Sequence, residues 1–319
     1  LTAGSPEFMK KEADIISRYG GQAQKPVVVS WFSGNMNQEG MRTLQERGVP
    51  CFTSYETSLS FVRLLSQRSK KSSSQIQVFE NLAKTKAEIP AFIRQKSGVL
   101  NEFDSKKILK SFGVPVAEEV NAQSLSEAKQ FAQANYPVVV KINSADIPHK
   151  SDAGCVAVNI RNAAELEQAY DTVLKNAVKY KKDAVIQGVL VQEMVQNARE
   201  CIIGVKTAPS FGPVIMFGLG GVFVEVLKDV TFKMAPITEA EAREMIMRIK
   251  GHKLLAGYRG QAKADTEAIV DVLQKVGRLA YSLKDNLKEL DINPLMVLEE
   301  GKGAKVADAL VVLGEHTSK

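Results

Sequence analysis

A mixed α/β fold, with antiparallel hairpins set among alternating strands and helices, follows from three observations in the sequence. Short apolar runs such as Pro137 to Ile142 alternate with stretches whose apolar residues recur at helical spacing. Three of those stretches open on a capping residue followed three positions later by Glu: Ser124 with Glu127, Asn162 with Glu165, and Thr238 with Glu241. Near the C-terminus, Glu289 to Leu295 and Val306 to Ala309 read as two short strands joined by a turn at Glu300 to Gly303.

The elements follow in order. Leu1 to Phe8 read as an expression-vector remnant (residues 1–8) ahead of a start at Met9. Lys25 to Ser30 reads as a buried strand, followed by a turn at Gly34 and a helix through Arg47. Gly48 to Phe52 starts a second strand, and Glu56 to Gln67 is helical with Leu59, Val62 and Leu65 on one stripe. Two βα units cannot close a sheet covered on both faces, so residues 9–67 read as the end of a larger domain. The polar, basic, serine-rich run Gln67 to Ser74 has linker composition, and 68–97 is assigned as linker. From residue 98 to 319 one further domain is expected. It begins with a helix Asn101 to Phe112 stopped at Gly113 and a strand at Val114 to Val116. The helix opened by Ser124 turns Ala128, Phe131 and Ala132 inward, and the one opened by Asn162 turns in Leu166, Tyr170, Val173 and Ala177. Thr238 opens a helix with Met245, Ile246 and Ile249 inward, and the last helix runs from about Asp265 to Leu283.

The composition of the 319 residues, 45% hydrophobic and 24% charged, is that of a globular protein. A net charge of +6 spread over scattered lysines suits an anionic ligand and gives no case for nucleic acid. No apolar stretch approaches a membrane span. Three cysteines without a CxxC pair point to a reducing, cytoplasmic compartment.

Side chains two apart on a strand share a face, so Asp291 and Asn293 point together, and Asp308 on the returning strand could join them. Three oxygen ligands so placed can hold Mg²⁺, or they form the solvated face of a hairpin. Lys141 ends an apolar strand, either as an exposed lysine or as a point charge for phosphates. Gly218, Gly220 and Gly221 read as a loop that admits phosphate oxygens or as a tight hairpin. Gln192, Glu193, Met194 and Val195 end a strand whose edge could read adenine, with Glu200 beyond it for ribose hydroxyls; an ordinary core strand is the other reading. His149, in Ile147 to Asp152, is a candidate nucleophile or a surface-turn residue.

In their order, Tyr136 to Lys141, Ile147 to Asp152, Gln192 to Val195, Phe211 to Gly221, Gly257 to Gly260 and Glu289 to Leu295 with Asp308 resemble one family. It is the ATP-grasp module of ADP-forming acyl-CoA synthetases (acetate–CoA ligase type), in the succinyl-CoA synthetase superfamily. The resemblance implies an ATP-grasp fold of two α+β subdomains, preceded by part of a flavodoxin-like ligase domain. It implies that Lys141 binds the phosphates of ATP or ADP, that Gln192 to Val195 form the adenine hinge, and that Glu200 holds ribose. Asp291, Asn293 and Asp308 would hold Mg²⁺, Gly218 to Gly221 would cover the phosphates, and His149 would relay phosphoryl as phosphohistidine. Coenzyme A would be a substrate of the complete enzyme, whose CoA-binding and ligase half would be a fused or separate partner; a homodimer is also compatible. Two other readings stay open: a non-catalytic nucleotide-sensing module, and a carboxylate–amine ligase needing no histidine relay. A wide separation of Lys141 from Asp291 and Asp308 in the fold would remove the basis of the nucleotide reading.

Overall fold

Why the apolar runs become strands and the periodic stretches helices is clearest from what each covers. The computed structural model describes residues 6–23, 25–31, 38–69, 89–208, 212–221, 228–257 and 262–314, and the chain divides into two compact units, Leu1–Gln77 and Val78–Lys319.

In the first unit, helix α1 (Pro6–Gln22) precedes strand β1 (Val29–Ser30), α2 (Gln38–Glu46), β2 (Cys51–Phe52) and α3 (Tyr55–Ser69). The two strands are parallel, with Val29 opposite Cys51, and a small core gathers Met9, Ala13, Trp31, Leu44, Val49 and Cys51. Helix α1 carries Met9, whose side chain is buried. The expected inward stripe of α3 faces out instead, with Leu59 62% and Val62 47% exposed. Ser58 takes the inward position and its hydroxyl lies 2.6 Å from that of Ser30.

The second unit holds two sheets. After strand β3 (Gly98–Val99) and helix α4 (Glu102–Ser111), a four-stranded antiparallel sheet of order β4-β7-β5-β6 is built from β4 (Glu119–Ala122), β5 (Val138–Asn143), β6 (Val156–Ile160) and β7 (Gly188–Glu193). Helices α5 (Leu125–Gln133) and α6 (Ala163–Tyr180) join its strands. They cover Val138, Val140, Ile142, Val189 and Val191 on one face, with Leu166, Tyr170, Val173 and Ala177 as the stripe of α6. All six residues of β5 are buried, so its other face, Val139, Lys141 and Asn143, is covered as well. The strand expected at Val114 to Val116 is only a bridge from Val116 to Val306. Pro115 there has no N–H to donate and serves as an acceptor for Val306 N at 2.9 Å.

The larger sheet is made of β8 (Arg199–Ala208), β9 (Gly212–Leu219), β10 (Val230–Met234), β11 (Leu287–Val297), β12 (Ala304–Val306) and β13 (Ala309–Leu313), with β3 at its edge. Its order is β10-β9-β8-β11-β13-β3, with β12 also paired to β11. Helices α7 (Glu239–Arg248), α8 (His252–Leu255) and α9 (Thr266–Ser282) complete the chain. Ile269, Leu273 and Val276 of α9 pack in one core with Ile203, Phe217, Leu290 and Ile292 of the sheet. Ile93, inside the segment read as linker, is buried in that core from a 3₁₀ turn at Ala91–Gln95. Residues 70–88 of the segment lie outside the described residues.

Thr238 completes a capping box, its hydroxyl accepting from Glu241 N while the Glu241 carboxylate accepts from Thr238 N. Ser124 and Asn162 each cap their helix, accepting from the N–H of Glu127 and Glu165. There the glutamates reach back to the N–H of Gln123 and Arg161, one residue before the cap.

Candidate functional site

Even-numbered residues of β5 face the helices, so Lys141 is pushed through to the far face, where the register sets it beside Gln192 of the neighbouring strand: Lys141 pairs with Leu190 and Val139 with Gln192. Glu119 of β4 lies directly across from Gln192 on the other side. The row Glu119, Gln192 and Val139, with Lys141 one step along, forms a polar stripe on a strongly apolar sheet.

Helix α4 covers that stripe. Asn101 caps it, accepting from Asp104 N, and Glu102, Lys106 and Leu109 fall at helical spacing on its buried face. Glu102 becomes the centre of a buried ionic cluster. Its Oε1 lies 2.7 Å from Lys106 Nζ and 2.8 Å from Lys141 Nζ, and its Oε2 lies 3.1 Å from Lys150 Nζ. Lys106 also reaches Glu119 at 2.7 Å and Gln192 Oε1 at 2.6 Å. Lys141 donates to Ala307 O at 2.8 Å and lies 3.6 Å from Asp308 Oδ2. Lys150 lies 3.5 Å from the same Asp308 oxygen. Three lysines and three carboxylates (Glu102, Glu119, Asp308) thus neutralise one another at the junction of the two sheets.

The charges respond accordingly. Burial pushes the Glu102 carboxyl up, but Lys141, Lys106 and Lys150 overcome it and hold the group well below the usual carboxylate range. Burial works against the Lys141 ammonium, and Glu102 and then Asp308 hold its pKa above the ordinary lysine value. Asp308 is raised by burial and by Glu102, against the pull of the lysines. Asp291 is pushed up to about 6, first by burial and then by Glu289 and Asp308.

Asp291 and Asn293 alternate with Leu290 and Ile292, which point into the core. Asp308 falls not on the returning strand but in the break between β12 and β13, its carbonyl accepting from Asn293 N at 3.2 Å. The registers Leu295 with Val306 and Ile292 with Ala309 put this break opposite Asn293 and Pro294. Among the described residues no group of three or more His, Cys, Asp or Glu side chains is arranged around a metal position. The donors here are two carboxylates and an amide. An all-oxygen set whose two carboxyls are both raised, first of all by burial, fits a hard cation such as Mg²⁺.

The other predicted residues are placed less directly. Strand β7 is central, between β4 and β5, so the free edge expected for reading adenine does not exist along Gly188–Glu193. Gln192 is spent on the lysines, Glu193 Oε1 accepts from Glu118 N and Lys305 Nζ, and Met194 N donates to Pro137 O. Val195 is half-buried on the segment that leads to β8, and Glu200, exposed, sits one residue into that strand. Gly218 is no loop residue: it lies inside β9, paired with Ile202 on one side and Val230 on the other. Gly220 donates to Glu200 O at 2.7 Å, and a Cβ there would meet that of Glu200 at 2.9 Å. Gly221 has φ +63 and open space where a Cβ would go. Residues 222–227, and 258–260 of the motif Gly257 to Gly260, lie outside the described residues. His149 is exposed, on the loop between β5 and β6, directly before the buried Lys150.

Four members of the cluster escaped the sequence reading: Glu102, Lys106, Glu119 and Lys150. A signal was present for two of them, since Glu102 and Lys106 occupy the apolar stripe of their helix with Leu109. A charged pair at core-facing positions needs buried partners.

Residues 91–313 match the family of ATP-grasp domains. The chain is 49% identical over 226 residues to the β subunit of the ADP-forming acetate–CoA ligase II of Pyrococcus furiosus, covering 70% of this chain and 96% of that one. It is 40% identical to the ADP-forming 4-hydroxybutyrate–CoA ligase of Nitrosopumilus maritimus, covering 95% of this chain but only 44% of that one. The chain therefore spans nearly all of a separate β subunit and less than half of that longer ligase. Among solved structures it resembles the dinucleotide forming acetyl-coenzyme A synthetase 1 of Candidatus Korarchaeum cryptofilum in complex with coenzyme A and Mg-AMPPCP, its phosphohistidine segment pointing towards the nucleotide binding site. The TM-score is 0.58 at 40% identity, over 68% of this chain and 93% of that one.

Proposed function

We propose, from the premise that this chain belongs to the ATP-grasp family and is closely related to β subunits of ADP-forming acetate–CoA ligases, that it is the nucleotide-binding, phosphoryl-transferring part of such a ligase. The complete reaction is carboxylate + CoA + ATP ⇌ acyl-CoA + ADP + phosphate, and a ligase half, fused or separate, supplies the acid and CoA pockets. The observation that carries the reading is the 3.6 Å approach of Lys141 to Asp308, which brings a phosphate-gripping ammonium from one sheet to a cation-binding carboxylate on the other. Three buried, unpaired cysteines suit a reducing cytoplasm.

In this reading Lys141 grips the polyphosphate, rigidly aimed by Glu102 and the Ala307 carbonyl. The segment Glu193 to Val195 lies beside the base, Glu200 accepts from the ribose hydroxyls, and Gly218, Gly220 and Gly221 shape the covering wall. Asp291, Asn293 and Asp308 hold Mg²⁺, which when bound neutralises phosphate charge that would otherwise repel a nucleophile. The unprotonated ring nitrogen of His149 attacks the γ-phosphorus. A P–N bond forms as the bond to the bridging oxygen breaks, ADP departs, and the other ring nitrogen passes its proton to the solvent that His149 faces. Reversal returns phosphoryl to ADP. Alignment and charge do most of the work, because the transferring group needs little covalent help.

The test is incubation of the full chain with labelled Mg·ATP, followed by measurement of acid-labile, base-stable phosphate. Label is expected on the native protein and none on His149→Ala. Absence of label together with absence of nucleotide binding by calorimetry rejects the assignment. A carboxylate–amine ligase would bind nucleotide and leave His149 unlabelled.

A further inference from the structure

We infer that Lys150 is a positioning residue, which holds His149 at the nucleotide site by clasping Glu102 and Asp308; the inference deepens the phosphohistidine reading and rests on it. The loop between β5 and β6 alternates between buried and exposed positions. Ile147 is fully buried, His149 is exposed, and Lys150 is only 8% exposed. The loop is fastened before His149 by the Asp146 carboxylate, which accepts from Val185 N at 2.9 Å and from Lys181 Nζ at 2.8 Å. Those ties stay within the smaller sheet and its helices. After His149 the chain turns tightly, with Cys155 N donating to Lys150 O at 2.8 Å and Gly154 N to Ser151 O at 3.0 Å.

Among the described residues, Lys150 reaches from this stretch to the strand break of the larger sheet, lying 3.5 Å from Asp308, and to helix α4, lying 3.1 Å from Glu102. Taking an ammonium out of water is costly, and a lysine on a loop has a free route to solvent. Lys106 and Lys141 share the Oε1 of Glu102 at 2.7 and 2.8 Å, which leaves its Oε2 for Lys150. What the contact does supply is a fixed distance between the residue after His149 and the strand break that carries Asp308. A nucleophile misplaced by about 1 Å loses about 100-fold in rate, so the clasp acts on transfer rather than on nucleotide affinity.

The experiment compares Lys150→Met and Lys150→Arg with the parent chain in three readouts: rate of His149 labelling by Mg·ATP, Mg·ADP affinity by calorimetry, and hydrogen exchange of the Gly154 and Cys155 amides. Lys150→Met is expected to slow labelling about 100-fold, to change affinity by less than about threefold, and to speed exchange of both amides at least about tenfold. Lys150→Arg keeps the charge and reach and restores labelling to within about tenfold of the parent. Labelling of Lys150→Met at the parental rate overturns the inference, as does a parallel loss of affinity, which would make Lys150 a phosphate ligand. A parent chain that takes no label refutes the histidine relay itself. The exchange arm still decides the clasp, since unchanged protection in folded Lys150→Met removes it.

Discussion

Lys141 performs two tasks that a substitution can separate. It neutralises Glu102 inside the protein and, in the proposed function, grips phosphate. Lys141→Met strands part of a buried carboxylate charge and leaves the Ala307 carbonyl without its ammonium donor. Removing one partner of a buried ion pair costs about 3 kcal/mol, and nucleotide affinity should fall at least about 100-fold, or about 2.7 kcal/mol. Urea unfolding and calorimetry measure the two effects; lost stability with intact affinity would leave Lys141 a purely structural residue. Glu102 supplies the pH signature. Its carboxyl titrates near 4.3 in an unfolded chain and well below that in the fold, where Lys106, Lys141 and Lys150 face it alongside the acids Glu119 and Asp308. The unfolded chain therefore binds the proton first, and the stabilisation, complete above about pH 4.3, drains away as pH falls below it. Glu102→Gln should be less stable at neutral pH and lose stability less steeply under acid, seen as a shallower fall of urea midpoint between about pH 4.5 and 3.

Among the elements, helix α7 has the most complete start, with both halves of its capping box made between Thr238 and Glu241. Thr238→Ala frees an N–H near the helix end and should cost about 1 kcal/mol, read by urea unfolding and unaccompanied by any change in nucleotide affinity. A loss of affinity in that variant would couple α7 to the site, against the present placement. Strand β7 illustrates a backbone requirement. Gly188 opens it at φ +138, and a Cβ there would lie 2.4 Å from Asn121 Oδ1, a position for glycine alone.

At the scale of the molecule, the second unit, Val78–Lys319, contains every proposed ligand contact. A ligand that binds only the folded state stabilises it by about 2.7 kcal/mol at 100 times its Kd. Mg·ADP should therefore raise the thermal transition of that unit and leave that of Leu1–Gln77 where it is. Chelation of Mg²⁺ should abolish the rise, as should Asp291→Asn or Asp308→Asn. A shift insensitive to all three would detach the closing strands from metal binding. The first unit presents a different feature: Tyr55, Leu59 and Val62 make an exposed apolar stripe on α3 while Ser58 faces its sheet.

The helical stripes of the second unit, three caps, the buried run of β5 and the polar alternation of β11 were legible in the sequence, because each depends on neighbours within one turn or one strand. The order of motifs put Lys141 and Asp308 in one expected site, and the two side chains lie 3.6 Å apart. The cluster around Glu102 was not. It joins residues as far apart as Lys106 and Gln192, or Lys150 and Asp308, and a buried lysine has the same letter as an exposed one. Which side of α3 faces inward, that β7 is central, that Gly218 lies within a strand, and that Lys150 abuts Asp308 were decided by tertiary structure. Desolvation and charge act between side chains in space, and only the packed sheets fix which groups must answer one another.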